Sequence, residues 1–520
     1  MRIALITPTP PDISAFGVRA LSALLKQEGH SVICLFLPGG IERLRHGRDV
    51  VYSYSSEALD DITAVLQDCA VIGISFMSQY HDRAVALTQH VRKTTRVLIL
   101  WGGVHASVRP EESLAYADAV CIGEGDMPLT ELSAAIRDGR DFLHTPSFFF
   151  RTNHSIQRNP IAPPVVDLDR LPPFDFALEG HYLLDPFSQR LKPMTPELLR
   201  TTLPLMPFFG PEPLTVYRTM TSRGCPHRCT YCANRHQRDL AGSEFPYLRW
   251  RNPDHVVNEL LAVKDTYPFI QGIHFFDDVF AAMPLDRLQV FCQAYQRHIR
   301  LPFYCQVSPV VLNHERLELL LDAGMVFIEM GVQTGSPRIR KMYDRNETNE
   351  QILEAAQMIH ALGDRVLTPR YHLILDNPWE TSEDQAATLD LASRIPKPFI
   401  WCLSSLVLYP GTDLNQRAHQ EGFLNDEESE IYRRPFYKVL PNLGNLLITL
   451  TDISWLPSGL IRCFNHPWLL RFGNILPFRI FAALGIQLRD YGRLSWKGLR
   501  AVLRGDFQRI SAFFRRNRSN

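Results

Sequence analysis

The sequence predicts an α/β protein in three parts: an N-terminal doubly wound, Rossmann-like domain, a partial barrel of six βα units, and a helical C-terminal region. Three observations carry this. Short apolar runs rich in β-branched residues alternate with helical stretches through the first third of the chain, the pattern of a parallel sheet covered on both faces. The alternation breaks in a proline-rich stretch and returns from residue 215 for six more strands. After about residue 426 it stops again, and basic and aromatic residues interleave instead.

In the first part, RIALITP, SVICLFLP, VIGISFM, VLILWGG and AVCIGEGD read as five strands. Helices fit at Gly17 to Glu28, Ala58 to Gln67 and Arg83 to Arg92, where apolar residues recur at helical spacing. This domain is expected over residues 1–143. Residues 144–214, with APPVVDLDRLPPFDF and PELLRTTLPLMPFFGPEPL, are rich in proline and poor in periodicity. They read as a linker with one short helix. The barrel is expected over 215–425, with strands VYRTMTS, GIHFFDD, FYCQVSP, MVFIEMGVQ, RYHLILDNP and FIWCLSSLVL. Helices fit between them at 253–265, 285–299, 314–322, 349–361 and 382–394. Chemistry on such a scaffold belongs at the C-terminal ends of the strands.

Bulk properties narrow the class. A chain of 520 residues, 45% hydrophobic and 21% charged, is a folded protein of more than one domain. Its 55 basic and 55 acidic residues cancel, so overall charge names no partner. No string resembles a helix-turn-helix, and no nucleic-acid partner is expected. The N-terminal apolar run, IALI, is too short for a signal peptide, and no apolar run reaches bilayer-spanning length. Seven of the ten cysteines are scattered and three cluster. That usage fits a cytoplasmic protein with one metal site.

The cluster is SRGCPHRCTYC, which sets Cys225, Cys229 and Cys232 directly after the first barrel strand. A loop of this spacing can wrap one corner of a cubane and ligate three of its four irons with soft thiolates. An iron without a protein ligand can bind a small molecule. The competing reading is a zinc site completed by His227 or His236, but the paired two-cysteine knuckles of structural zinc are absent.

CPHRCTYC resembles the CxxxCxxC signature of radical SAM enzymes, with aromatic Tyr231 before the last cysteine as is usual there. The resemblance implies a [4Fe–4S] cluster on Cys225, Cys229 and Cys232, with S-adenosylmethionine (SAM) on the open iron and a 5′-deoxyadenosyl radical as the reactive product. It also implies a flavodoxin- or ferredoxin-type electron donor. FFDDVF, with Asp277 and Asp278, resembles the segment that binds the SAM amino group in the cobalamin-dependent branch. Paired carboxylates are suitable acceptors for an ammonium group. IEMGVQTGS resembles the fourth-strand segment that contacts the ribose and methionine end of SAM, through Glu329, Gln333 and Ser336. Gln333 and Ser336 read equally as caps of the next helix. In LILDNPWETSED, Thr381 and Asp384 have capping-box spacing, so Glu380 is read as structural.

The first domain resembles the cobalamin-binding domain of the same branch. SFMSQ (Ser75, Met77), WGGVHAS (Gly102, Gly103, His105) and IGEGDMPL (Gly123, Glu124, Gly125) follow its third, fourth and fifth strands. Open α/β sheets bind ligands outside these strand ends. The first strand is not followed by GxGxxG, which argues against a dinucleotide. The Asp-x-His-x-x-Gly motif that supplies a cobalt ligand in other cobalamin proteins is absent, leaving the lower axial position open.

From Ile453 to Asn520 there are twelve Lys or Arg against two acids, with Leu, Phe and Trp between them. This basic helical region, 426–520, reads either as a cap on the barrel or as helices lying on an anionic membrane surface. The resemblance as a whole implies methylation of an unactivated carbon of a small-molecule or lipid substrate. One SAM would methylate cob(I)alamin and a second would supply the radical. No residue is assigned as a general acid or base. Two alternatives stay open. One is a non-methylating enzyme such as the anaerobic magnesium-protoporphyrin ester cyclase; the other is a non-catalytic cobalamin or iron–sulfur sensor.

Overall fold

The five apolar runs of the first part form parallel strands β1 (Arg2–Thr7), β2 (Ser31–Phe36), β3 (Val71–Ser75), β4 (Leu98–Gly102) and β5 (Ala119–Cys121), in the order β2-β1-β3-β4-β5. Helices Phe16–Gln27, Ser56–Leu66 and His81–Val91 and the short pair Val104–Val108 and Pro110–Leu114 supply the crossovers, and Asp126–Arg137 follows β5. The strand order reverses between β1 and β3, which opens a crevice at the carboxyl ends there. This computed structural model describes all residues except 9–12, 39–40, 46–48, 153–154, 186–187, 207–213, 474 and 504–520. The last part of the expected linker and the end of the expected basic region therefore lie outside the described residues.

The segment expected to be a linker adds four short strands to the first sheet. Phe148–Arg151 pairs antiparallel with β5, and Ile156–Arg158 pairs with it in turn. At the opposite edge Tyr182–Leu184 runs parallel to β2, followed by antiparallel Leu191–Pro193. The sheet thus has nine strands. Three of the four added strands are three residues long, too short to display an alternation. The one short helix is present, at Pro196–Thr202, capped by Thr195.

A buried polar knot fastens this segment to the first helix. Asp175 Oδ2 accepts from Ser22 Oγ at 2.5 Å, Lys26 Nζ at 2.7 Å and His181 Nε2 at 3.0 Å. The other ring nitrogen of His181 accepts from the Cys34 backbone N–H at 2.9 Å, so the ring donates to Asp175. Arg19 donates to the carbonyls of Ile13 (3.1 Å) and Asp175 (2.6 Å), between the rings of Phe36 and Phe176.

The chain divides into two compact units: Met1–Pro204 with Thr215–Gln271 and Val407–Arg434, and Leu205–Leu214 with Gly272–Leu406 and Pro435–Asn520. The boundaries expected at 143, 214 and 425 do not coincide with these. Strand Leu214–Thr219 and helix Pro253–Thr266 open the six strand–helix repeats, and all but the first residue of that pair belongs to the first unit. The second unit carries β6 (Gly272–Phe275), β7 (Phe303–Val307), β8 (Met325–Gln333), β9 (Arg370–Leu375) and β10 (Ile400–Ser405), successive strands of this set pairing parallel. Helices Leu285–His298, His314–Asp322, Asn349–His360 and Ser382–Arg394 alternate with them. Asn313, Thr348 and Thr381 cap the last three of these, and Thr381 with Asp384 completes a capping box. Phe275, Phe280, Phe291, Tyr295 and Phe303 interlock as one aromatic core, with ring centroids 4.7–6.3 Å apart. Four helices end the described chain: Leu443–Leu450, Ser458–Arg462, Pro467–Phe472 and Leu476–Leu503.

The hydrogen bonds to Asp175 more than offset the desolvation that opposes its charge, and hold its carboxyl well below the ordinary range. A depressed carboxyl stabilises above its unfolded pKa, and that contribution fades as pH falls toward the folded value. Asp175→Asn is expected to cost about 2 kcal/mol at pH 7. In urea titrations followed by circular dichroism, the difference between wild type and variant should begin to shrink near pH ~4 and keep shrinking as pH falls further.

Candidate functional site

The cysteine loop belongs to the first unit. Ser222–Arg223 pairs with Arg249–Trp250 in a short antiparallel ribbon, and the loop leaves it through Gly224. Gly224 has φ +93°, and a Cβ there would run into the Tyr247 backbone, so no other residue fits. Cys225 and Cys229 are buried; Cys232 is half-buried and starts helix Ala233–Ala241. Two arginines of that helix tie the loop back. Arg238 donates to the carbonyls of Cys225 and His227, and Arg235 to that of Arg228 at 2.8 Å. Tyr231 is half-buried beside the last cysteine.

Three cysteine sulfurs on one loop are the soft donors that an iron–sulfur cluster takes. Among the described residues, the groups whose ligand atoms all lie within 4.8 Å of one another are Cys34–Asp175–His181 and His81–His105–Glu112. His236, considered above as a fourth zinc ligand, turns its Nε2 to the Ser107 carbonyl at 3.3 Å.

At the switch point of the first sheet lies a cavity of about 330 Å³. Ser75, Gly102, Gly103, Gly123, Glu124 and Gly125 all line it. Gly103 sits at φ +87°, where a Cβ would press against the backbone of Phe76 at 2.8 Å. A Cβ on Gly17, which also lines the cavity, would meet no protein atom within 4 Å. These glycines leave room that a broad, flat ligand can fill. Cys121 lines the cavity too, but burial, with Asp126 adding to it, pushes its thiol up to about 12, which keeps it protonated.

Met77 and His105 are not among the lining residues. Met77 is half-exposed and precedes a short 3₁₀ turn. His105 is fully buried, stacked on Phe76 with ring centroids 5.2 Å apart and packed against His81 and Tyr432. Burial, with His81 and Arg109 nearby, pulls it down to about 3, so the ring is neutral. His105 was expected among the cofactor-binding residues; helix Val104–Val108 places it in the core.

Cavity and cysteine loop are joined by ion pairs. Asp126, buried at the start of its helix, accepts from Arg223 at 2.7 and 3.0 Å. Glu124 accepts from Arg223 at 3.3 Å and is gripped by both terminal nitrogens of Arg249. Arg223 stands two residues before Cys225, so the loop after β5 fixes the ribbon from which the cysteines depart. Sequence reading had Glu124 but missed both arginines and Asp126. It also missed Leu168, Leu171, Pro172 and Phe174, which line the cavity from the presumed linker, and Arg251 and His255. The only signal for these was the arginine just before the cysteine motif.

The remaining expected residues lie in the second unit. Asp277 is fully buried after β6, whereas Asp278 is exposed. Glu329 on β8 accepts from Arg370 at 2.6 Å and from His372 at 3.2 Å. Burial alone would raise Glu329, but the His372 hydrogen bond and the charges of His372 and Arg370 hold it down to about 2. His372 is lowered by burial and raised further by Cys402 and Glu329, to about 9. Gln333 ends β8 at φ +64°. The Ser336 hydroxyl caps helix Pro337–Met342 and donates to Asp384 at 2.5 Å. Glu380 differs from the structural role expected of it in one respect. Desolvation, with Asp384 and Asp376 beside it, pushes its carboxyl up to about 8.

Comparison with known proteins finds two families along the chain. Residues 2–133 match the B12 binding domain, and residues 219–392 match the radical SAM superfamily. The chain is 24% identical to an uncharacterized methyltransferase of Pyrococcus horikoshii, over 69% of this chain and 72% of that protein. It is 23% identical to the cytidylyl-2-hydroxyethylphosphonate methyltransferase of Streptomyces wedmorensis, over 86% and 85%. Among solved structures it is similar in fold to the radical SAM methyltransferase TsrM of Kitasatospora setae with cobalamin and a [4Fe–4S] cluster bound. That likeness has a TM-score of 0.62 at 17% identity and covers 81% of this chain and 75% of that one.

Two measurements test the site. Gly17→Leu is expected to weaken retention of hydroxocobalamin, read by its visible absorbance after desalting, at least about tenfold while the melting temperature stays within a few degrees. NMR of ring-labelled histidines should show one resonance titrating near pH 9 that is lost in His372→Gln. Protonation of His372 strengthens the pair with Glu329 below that pH, and the gain disappears as pH rises through it.

Proposed function

We propose that this chain, a cobalamin-dependent radical SAM enzyme built from a B12 binding domain and a radical SAM domain, methylates an unactivated carbon of a small-molecule or lipid substrate. The observation that carries the reading is the linkage of the glycine-lined cavity to the cysteine loop through Asp126, Glu124, Arg223 and Arg249. A methyl carrier and a radical generator must be held in a fixed relation, and here the same ion pairs position both binding elements. The similarity to two methyltransferases over most of their length supports the reaction class.

The cofactors are a [4Fe–4S] cluster, SAM and cobalamin; together they supply one electron, a hydrogen-abstracting radical and a transferable methyl group. The protein's own part is positioning. Cys225, Cys229 and Cys232 hold the cluster, with Tyr231 packed beside them. Ser75, Gly102, Gly103, Gly123, Glu124 and Gly125 border the corrin. Asp277 and Asp278 receive the SAM amino group, and Glu329, Gln333 and Ser336 its ribose and methionine end, Ser336 through its backbone because its hydroxyl is engaged. A buried Glu329, kept ionised by Arg370 and His372, remains an acceptor for hydroxyl donors across the physiological range. A flavodoxin- or ferredoxin-type protein supplies the electron.

The test is anaerobic reconstitution with iron, sulfide and hydroxocobalamin, then addition of reductant and SAM, with mass spectrometry of the products. Formation of S-adenosylhomocysteine together with 5′-deoxyadenosine, both abolished in Cys229→Ala, is the expected result. Deoxyadenosine without S-adenosylhomocysteine, in the presence of a substrate that loses hydrogen or gains oxygen, would instead establish the non-methylating chemistry. Neither product from a protein loaded with both metal centres would count against catalysis and favour the sensor reading.

A further inference from the structure

Helix Leu476–Leu503 is amphipathic, but it is turned the wrong way for a helix covering a soluble core. Its inward face is made of small and charged residues. Ala482 is fully buried, and a Cβ on Gly485 would come within 2.8 Å of Leu446. Arg489 donates to the buried carboxylate of Asp452 at 3.0 Å. Positions i, i+3 and i+7 therefore seat the helix against Leu443–Leu450. The large apolar side chains fall on the other side. Leu476, Ile480, Leu484 and Leu488 recur every four residues and are 68%, 55%, 55% and 71% exposed. Helices of globular proteins place such a stripe against the core, and a contiguous apolar surface of this kind marks a binding face. Trp455 and Trp468, in the segment just before, are also exposed.

We propose that this face docks on the surface of an anionic phospholipid bilayer. Charge selects the occupant. Between residues 453 and 520 twelve basic residues stand against two acids, and the exposed Arg462 and Arg471 belong to the helices that lead into the stripe. A second copy would bring like charges together across the contact, which disfavours self-association. An anionic bilayer accepts both components, leucines among the acyl chains and guanidinium groups among the phosphates. Tryptophan favours the intervening headgroup layer. Among the described residues no helix is long and apolar enough to cross a membrane, so the contact lies along the surface. The inference is independent of the reaction proposed above.

The test uses the full chain and vesicle flotation. Wild-type protein is expected to float with phosphatidylcholine vesicles containing phosphatidylglycerol, much less with phosphatidylcholine alone, and less in high salt. The double variant Leu484→Glu/Leu488→Glu changes only outward positions. It should keep its circular dichroism and its iron content on reconstitution but bind anionic vesicles at least about tenfold more weakly. Wild type that stays unbound to anionic vesicles overturns the proposal, as does a variant that floats equally well. A concentration-dependent dimer abolished by the double variant, without vesicle binding, would assign the face to a second copy and likewise overturn it.

Discussion

Two carboxylates at the turn from β5 into helix Asp126–Arg137 and two arginines on a ribbon hold this part of the first unit together. Asp126 and Glu124 follow β5, at the crevice where the cavity opens; Arg223 and Arg249 come from the strands that launch the cysteine loop. The Arg223–Asp126 contact is bidentate, which fixes orientation as well as distance. Breaking it would leave a charge buried without its partner, and such losses far exceed the net value of the intact pair. The arrangement therefore supplies geometry more than stability. In the proposed reaction a radical generated at the cysteine loop and a methyl group carried in the cavity have to meet the same substrate atom, so geometry is what this part of the protein would supply.

Around this core the same logic recurs on a smaller scale. Arg238 and Arg235 pin the carbonyls of the cysteine loop, so each thiolate leaves a backbone that is already held. In the second unit Arg370 and His372 keep Glu329 charged despite its burial. A charged acceptor is thereby prepared before any ligand arrives, as a binding site requires. Glu380 shows the opposite outcome. With acidic neighbours and desolvation its proton is retained near neutral pH. Two glutamates of one unit thus carry different protonation states, set by their surroundings.

Much of this was legible in the amino-acid sequence, for reasons that differ between elements. The helix at 253 begins where expected because Asn252 caps it and Pro253 follows, both local signals. The helix at 382 begins at a capping box readable as Thr381 and Asp384. Strands β1 to β4 are five or six residues long and show their apolar runs directly. The presumed linker was opaque because its strands are three or four residues long and gain their meaning from pairing with β2 and β5. His105 was placed by its motif, but whether a side chain faces the cavity or the core depends on the turn of one short helix. The outward stripe of helix Leu476–Leu503 was invisible for a related reason: its buried face is Ala and Gly, which no pattern of hydrophobicity would select as the inner side.

Diffraction from crystals of the anaerobically reconstituted protein, recorded at the iron and cobalt absorption edges, tests the central claim most directly. The account predicts iron bound to Cys225, Cys229 and Cys232 as a cluster with one iron free of protein ligands. It also predicts cobalt within the cavity lined by Gly17, Gly102 and Gly123. A single metal ion held by the three cysteines and a histidine, or cobalt bound anywhere other than that cavity, would contradict it.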